Sequence, residues 1–198
     1  MIEDFDEKVL LAINGLHSPF MDQVMLFFSN TVVWFPLYLL LAVLLFFPNS
    51  YGLKSPILKS DKKRWVIGLY GVIALLLCVL LCDQIAHSLK LIIERPRPGY
   101  NEHIASLLNL PDGKGGHYGF PSNHASNTFC FALLTASIFR KRWFSIIIIL
   151  WSLIICYSRM YLGRHYPLDV LAGIILGTIL FVIIYYSWKY AVLYRRKK

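Results

Sequence analysis

Residues 65–90 read WVIGLYGVIALLLCVLLCDQIAHSLK, an almost unbroken apolar stretch. A helix needs roughly 20 residues to cross about 30 Å of hydrocarbon, and this stretch is long enough to do so. Four further runs have the same character, at 23–47, 122–139, 143–160 and 167–188. We therefore predict an all-α fold, a multi-pass membrane helix bundle with five transmembrane helices in one domain over residues 1–198. Pro36 predicts a kink within the first span.

The composition agrees with a membrane protein. Of the 198 residues 57% are hydrophobic, whereas a soluble domain averages about 45–50%. The net charge of +9 could indicate nucleic-acid binding, but the positive residues cluster in short segments between apolar runs, so we exclude that class. The cysteines all lie inside apolar runs and form no CxxC pair, so the sequence indicates neither a disulfide framework nor a zinc site.

The N-terminal segment has its own periodicity. Apolar residues recur at helical spacing among acidic ones, at Phe5, Val9, Ile13 and Leu16. This pattern predicts a short amphipathic helix. The helix lies either at the membrane interface or against its helical neighbours, and the sequence does not choose between the two.

The basic residues predict an orientation. Thirteen of the 20 lie after the first apolar run, after the third, and at the C-terminal end. Loops rich in Lys and Arg stay cytoplasmic, so we expect an outside N-terminus and a cytoplasmic C-terminus. Five of the remaining seven crowd into residues 90–97 and 159–164 on the outer face. An anionic substrate is the simplest reason to keep them there.

Residues 158–169, SRMYLGRHYPLD, contain the strongest chemical pattern. His165 and Asp169 are one helical turn apart, so the carboxylate can reach the imidazole, and Pro167 suits the start of a helix. A carboxylate on one ring nitrogen fixes the tautomer and leaves the other nitrogen free as nucleophile or base. Arg159 adds a fork of donors that suits phosphate.

Two upstream stretches complete a set: KLIIERPRP at residues 90–98 and PSNH at residues 121–124. Together the three stretches resemble the signature of the type 2 phosphatidic acid phosphatase family, the lipid phosphate phosphatases that share their site with vanadium haloperoxidases. The family pattern is Lys, six residues, Arg-Pro; then Pro-Ser-Gly-His; then Ser-Arg, five residues, His, three residues, Asp. This chain departs once, because Asn123 stands where the family usually has Gly.

The resemblance implies a role for each residue. His165 would attack phosphorus and form a phosphohistidine, with Asp169 stabilising its imidazolium. His124 would protonate the leaving oxygen and then activate water. The phosphate-binding groups would be Lys90, Arg97, Ser122, Asn123 and Arg159. Lys90, Arg97 and Arg159 supply the positive charge, so neither a metal nor another cofactor is expected.

A polar stripe accompanies the first motif. Asp83, His87, Lys90 and Glu94 recur at steps of four, three and four, which places them on one face of the second span. We hypothesise that Asp83 or Glu94 orients the phosphate-binding cations. A polar seam satisfied between helices is the alternative.

The glycine-rich segment 99–119 reads as a mobile outer loop over the site. It contains His103 and His117, which could join His124 in a metal cluster. Their spacing matches no ligand pattern, so we expect no metal there.

These patterns predict a membrane enzyme that hydrolyses a lipid phosphate or pyrophosphate of the outer leaflet. By resemblance to the bacterial branch, the leading substrate is undecaprenyl pyrophosphate, converted to undecaprenyl phosphate at the periplasmic side of a bacterial inner membrane. Phosphatidylglycerophosphate, phosphatidic acid and lipid A 1-phosphate are alternative substrates. A lipid phosphotransferase and a non-enzymatic lipid-binding protein are alternative functions, and the sequence does not indicate an oligomeric state.

Overall fold

The computed structural model describes residues 2–47 and 64–197, and within these ranges the regular structure is helical. The α-helices are α1 (Ile2–Asn14), α2 (Pro19–Ser29), α3 (Phe35–Leu44), α4 (Arg64–Ile93), α5 (Asn123–Phe139), α6 (Arg142–Tyr161) and α7 (Pro167–Lys197). The prediction of an all-α fold is confirmed. The basic residues Lys54, Lys59, Lys62 and Lys63, used to predict the orientation, lie outside the described ranges.

Among residues 2–47 and 64–197, three helices are long and apolar enough to cross a membrane: α4, α6 and α7. A fourth span exists if α2 and the segment 31–44, which meet at an angle of 59°, are taken together. The predicted span at 122–139 corresponds to α5, which has 17 residues and is largely buried inside the bundle. The chain is therefore a membrane helix bundle, and the count of five spans stays a prediction.

The bend in the first predicted span lies before Pro36. Asn30 ends α2, and its side-chain oxygen accepts a hydrogen bond of 3.0 Å from Val32 N. This contact starts a 3₁₀ turn at Thr31–Trp34, after which Pro36 occupies the first turn of α3. Because a first-turn N–H has no helical partner, proline is tolerated at that position. Pro36 therefore marks the start of a helix and not a kink inside one.

Helix α5 is the central element and packs against α4, α6 and α7. Two glycines on α7 allow its backbone to approach α5. A Cβ atom at Gly173 would lie 2.6 Å from the Ser122 carbonyl oxygen, and one at Gly177 would lie 2.5 Å from that of Ser126. Small residues four apart are a common device for close helix contact in membranes. This contact fixes the start of α5 beside the start of α7.

Helix α1 forms as expected, but it buries a different face from the one predicted. Its buried residues are Asp6, Leu10 and Asn14. The side chain of Asn14 donates to the carbonyl oxygens of Tyr161 and Asn109 at 2.7 and 2.8 Å. Polar residues outside the predicted apolar face thus attach α1 to the bundle through hydrogen bonds.

The predicted apolar face of α1 is correspondingly exposed at its ends. Phe5 is 69% exposed and Leu16, which lies beyond the end of the helix, is 68% exposed. Between them Val9 and Ile13 are half-buried. The helix thus packs on its neighbours, and its placement at a membrane interface stays a prediction.

Candidate active site

A cavity of about 470 Å³ lies where α4 ends and α5 and α7 begin. It collects residues from all three sequence motifs, although these are up to 75 positions apart along the chain. Its lining consists mainly of polar and charged side chains, among them Asp83, His87, Lys90, Arg97, His117, Asn123, His124, Arg159, Arg164 and His165. The motifs therefore form one site at one end of the bundle.

His165 and Asp169 face each other as their spacing predicts. The Nδ1 atom of His165 lies 3.5 Å from Oδ2 of Asp169, and both side chains are almost fully buried. The same Oδ2 accepts a hydrogen bond of 3.1 Å from Tyr166 N. Because the carboxylate lies beside the buried Nδ1, Nε2 is the nitrogen left to face the cavity.

The surroundings of His165 favour its neutral form. Burial, followed by the positive charges of Arg159, Arg97 and Lys90, lowers the pKa of His165 well below the usual 6.5. A neutral imidazole carries the lone pair that a nucleophile needs. The surroundings therefore favour the form of His165 that can attack phosphorus.

Asp169 is held by residues that the sequence patterns did not select. Arg95 donates from Nη1 to Oδ1 of Asp169 at 2.7 Å and from Nη2 to Oδ2 of Asp6 at 2.6 Å. The other oxygen of Asp6 accepts from Leu168 N at 2.9 Å. The N-terminal helix α1 is thereby tied to the first turn of α7, beside the imidazole. Arg95 could have been noticed in ERPRP, whereas no sequence signal marks Asp6.

Positive side chains surround the cavity. Lys90, Arg97, Arg159 and Arg164 all line it. Within residues 2–47 and 64–197, Nη1 of Arg97 and Nε of Arg159 are buried without a hydrogen-bond acceptor. A buried donor without an acceptor lowers the stability of the folded protein, and an acceptor placed beside it removes that cost. Their arrangement suits an anion with several oxygens, such as phosphate.

Asn123 connects two of the predicted residues. Its side-chain oxygen accepts a hydrogen bond from Lys90 Nζ, and its nitrogen donates one of 2.6 Å to Asp83 Oδ1. A lysine can only donate and a carboxylate can only accept, so this orientation of the amide is the one that satisfies both. Asp83 is therefore connected to the lysine through Asn123.

His124 lies in the first turn of α5 and lines the same cavity as His165. Its Nε2 lies 3.1 Å from the backbone oxygen of Ser29. A carbonyl oxygen only accepts, so Nε2 carries the hydrogen. When Nδ1 is protonated as well, the resulting imidazolium can act as a general acid.

Ser122, which was predicted to bind phosphate, is not among the residues that line the cavity. The residue is fully buried, and its hydroxyl caps α5 by accepting a 3.5 Å contact from Ala125 N. Its own N–H donates to the backbone oxygen of Asp169 at 2.9 Å. Ser122 thus joins the starts of α5 and α7 and reaches the site only indirectly.

Glu94 also lies outside the cavity. The predicted stripe requires a helix that continues through Glu94, but α4 ends at Ile93. Glu94 takes a left-handed conformation with φ of 52°, and its side chain is exposed. Of the two carboxylates proposed to orient cations, the structure brings only Asp83 to the site.

The segment 99–119 covers the cavity with Gly116, His117 and Tyr118, while the exposed His103 is not part of the lining. The segment is attached to α1, because Asn109 N donates to Asn14 Oδ1 at 2.8 Å.

In the described ranges, one group of three side chains is close enough together to hold a metal ion, and it lies away from this cavity. It consists of Cys78, Cys82 and Cys130, whose sulfur atoms lie within 4.8 Å of one another in the buried core. Sequence spacing does not reveal this cluster, because Cys130 belongs to α5 and the other two to α4.

A membrane bundle with an oriented histidine, a second histidine and a ring of cations defines a membrane phosphatase site. In agreement, the PAP2 superfamily matches residues 71–193, and the chain belongs to that superfamily. It is a PAP2 lipid phosphatase.

Named relatives refine this assignment. The chain is 40% identical over 179 residues to a lipid A 4'-phosphatase of Bacteroides thetaiotaomicron. The matched region covers 89% of this chain and 73% of the relative. It is 26% identical to the undecaprenyl-diphosphatase BcrC of Bacillus subtilis, over 87% of this chain and 79% of the relative. The crystal structure of Aquifex aeolicus LpxE is similar at a TM-score of 0.66 and 26% identity, covering 89% of this chain and 92% of that one.

Proposed function

We propose that this protein removes the 4'-phosphate of lipid A through a phosphohistidine on His165. The observation that carries the chemistry is the single cavity in which His165, backed by Asp169, meets His124 and a group of cations. The choice of lipid A is supported by the 40% identity to the Bacteroides lipid A 4'-phosphatase.

In the first step, the lone pair on His165 Nε2 forms a bond to phosphorus as the bond from phosphorus to the sugar oxygen breaks. His124, entering the step as the imidazolium, gives one proton to that departing oxygen and becomes neutral, so the dephosphorylated lipid leaves as an alcohol. Asp169 stabilises the positive charge that develops on the phosphorylated imidazole, and Arg95 holds the carboxylate in place.

In the second step, His124 takes a proton from a water molecule as the water oxygen attacks the phosphohistidine. The bond between phosphorus and Nε2 breaks, inorganic phosphate forms, and His165 returns to its neutral form. Lys90, Arg97 and Arg159 bind the phosphoryl oxygens in both steps, where they offset the negative charge. Asn123 fixes the ammonium group of Lys90.

Undecaprenyl pyrophosphate is the second candidate substrate. It is the leading substrate by resemblance to the bacterial branch, and the similarity to BcrC over most of the chain supports it. We now rank it below lipid A, because the identity to BcrC is 26% and that to the lipid A 4'-phosphatase is 40%. The site chemistry is the same for both substrates.

We further propose that the cavity faces the periplasmic side of a bacterial inner membrane and that the C-terminus is cytoplasmic. The charge distribution supports this orientation. The basic turn at residues 140–142 follows the end of α5 that is remote from the cavity, and Lys189 lies near the remote end of α7. Segments rich in Lys and Arg remain on the cytoplasmic side.

The decisive experiment measures phosphate release by the pure protein in detergent micelles that contain lipid A, undecaprenyl pyrophosphate, phosphatidic acid or phosphatidylglycerophosphate. We expect the highest kcat/KM for lipid A and loss of nearly all activity in His165→Ala. The exposed His103→Ala is the matched control and should keep full activity. Formation of a phosphorylated acceptor lipid without free phosphate would indicate a phosphotransferase, and equal activity of wild type and His165→Ala would refute the mechanism.

A further inference from the structure

A second cavity, of about 300 Å³, adjoins the first on the far side of His124. The two cavities share His124, Arg159 and Arg164, but His165 lines only the first. The remaining wall comes from the break between α2 and α3, at Ser29, Asn30 and Thr31, and from Asp112. His124 therefore stands between the proposed nucleophile and this second space.

The direction of the reaction gives this space a role. In phosphoryl transfer the attacking and leaving groups lie roughly in line on opposite sides of phosphorus. If His165 attacks and His124 protonates the leaving oxygen, the rest of the leaving group must extend on the His124 side. The Nε2 hydrogen of His124 already points to Ser29 O, in the wall of the second cavity.

The lining indicates what kind of leaving group fits. Apart from Leu26, every residue around the second cavity is polar. Hydroxyl, amide and carboxylate groups from Ser29, Thr31, Asn30 and Asp112 surround the space. Such groups can exchange hydrogen bonds with the hydroxyl groups of a sugar ring, whereas a leaving group without free hydroxyls offers them few partners.

The break also lies next to apolar surface. Phe27, Val32 and Phe35, on the same segment, are 51%, 76% and 65% exposed. In a membrane bundle such side chains face hydrocarbon. A lipid whose sugar occupies the second cavity can thus keep its acyl chains in the bilayer beside this segment.

We propose that the break at Ser29–Thr31, together with Asp112, forms a leaving-group subsite that binds the sugar headgroup of a phosphorylated glycolipid. The proposal rests on the proposed function and deepens it, because it assigns substrate selection to residues outside the three phosphatase motifs. Thr31 is the determinant that can be changed without altering the cations of the first cavity, whereas Asp112 also pairs with Arg164 at 3.2 Å.

The test compares Thr31→Val with wild type on two substrates in identical micelles. Lipid A has a sugar leaving group, whereas the leaving group of phosphatidic acid is a diacylglycerol without free hydroxyls. We expect kcat/KM for lipid A to fall about tenfold, the amount that corresponds to one or two lost hydrogen bonds. The value for phosphatidic acid should change less than about twofold. Thr178→Val is the matched control, since Thr178 bonds the Ile174 backbone on α7, away from both cavities.

Equal effects on both substrates, or no effect on either, would overturn the subsite while leaving the lipid A phosphatase activity intact. If wild type hydrolyses phosphatidic acid but not lipid A, the proposed function fails and a soluble probe decides the subsite. Glucosamine 6-phosphate should then inhibit phosphatidic acid hydrolysis more strongly than methyl phosphate in wild type, and Thr31→Val should abolish that difference. The same inhibition ratio in both proteins would refute the subsite.

Discussion

The side-chain amide of Asn123 donates a 2.6 Å hydrogen bond to the carboxylate of Asp83. The same amide accepts from Lys90, which lies on α4 like Asp83, two helical turns further along. The family pattern has Gly at this position, which could form neither bond. In this chain the departure from the pattern therefore creates a connection between an acidic residue and a phosphate-binding cation.

Substitution of Asp83→Asn should lower turnover while leaving expression and folding intact. Asparagine can still accept one hydrogen bond from Asn123, but it removes the negative charge that holds the Asn123–Lys90 pair. Hydrogen bonds to charged groups contribute about 1.5–3 kcal/mol, so we expect kcat to fall roughly tenfold. Steady-state phosphate release over a range of lipid A concentrations checks this.

Glu94→Gln is the control for that experiment, because it removes a carboxylate eleven positions further along, where the side chain is exposed and outside the cavity. Its turnover should equal that of wild type. If Asp83→Asn also keeps wild-type turnover, the Asn123 connection has no part in catalysis.

Arg95→Lys should lower kcat more than it changes KM. The guanidinium group reaches Asp6 and Asp169 with separate nitrogens at 2.6 and 2.7 Å, a bridge that a single ammonium cannot reproduce. A less firmly held Asp169 would orient His165 poorly, and we expect kcat to fall at least about tenfold. Steady-state kinetics with each variant separates kcat from KM.

Two further variants make the Arg95 result specific. Asp6→Asn should reproduce part of the loss in kcat, since it weakens the other end of the same bridge. Arg142→Lys, at an exposed position on the opposite end of the bundle, should have no effect. A rise in KM at constant kcat in Arg95→Lys would instead place Arg95 among the substrate-binding groups.

The residues that sequence reasoning located are those whose partners are near in the chain or fixed by the motif. His165 and Asp169 meet because one helical turn separates them, and the spacing alone is enough to show it. Asp6 could not be found this way, because it is 89 positions from Arg95 and 162 from Leu168. A carboxylate is usually exposed, and only the packing of α1 shows that Asp6 is buried.

Local geometry explains the other differences. Glu94 fits the periodicity of α4, but the helix ends one residue before it, and periodicity does not reveal a helix end. Ser122 is suited both to capping a helix and to binding an anion. In the structure its hydroxyl accepts from Ala125 N and so caps α5. The bend at Asn30 arises from a capping contact with Val32 N. The apolar run at residues 23–47 is nearly continuous, so hydropathy alone does not reveal the bend.

The stability of the protein should fall as the pH drops below about 6.5, and His165 should contribute to that fall. Its pKa is lowered in the folded protein by burial and neighbouring cations, so the unfolded chain binds a proton there that the folded chain does not. Stability therefore decreases with decreasing pH from the unfolded pKa downward. The apparent Tm in detergent, measured from pH 7.5 to 5, should decline less steeply in His165→Gln than in wild type.

The exposed His103→Gln provides the comparison, because its removal should leave the wild-type pH dependence unchanged. An identical slope in wild type and His165→Gln would mean that His165 takes up its proton equally well in the folded state. Bound inorganic phosphate should reduce the slope in wild type, since an anion in the cavity favours the imidazolium.

Gly177→Ala should destabilise the bundle and lower activity together. An added Cβ would lie 2.5 Å from the backbone oxygen of Ser126 on α5, and a backbone atom cannot rotate away as a side chain does. Overpacking of this kind costs about 1–3 kcal/mol, which corresponds to a fall in Tm of about 2–4 °C per kcal/mol for a chain of this size. Gly116→Ala is the stability control, because an added methyl there meets no atom within 4 Å.

Since Ser126 lies one turn beyond Asn123 and His124, separation of α5 from α7 would also move these two side chains away from His165. A lowered Tm with unchanged kcat would show that the site tolerates this movement, and an unchanged Tm would show that the two helices are not in the close contact described.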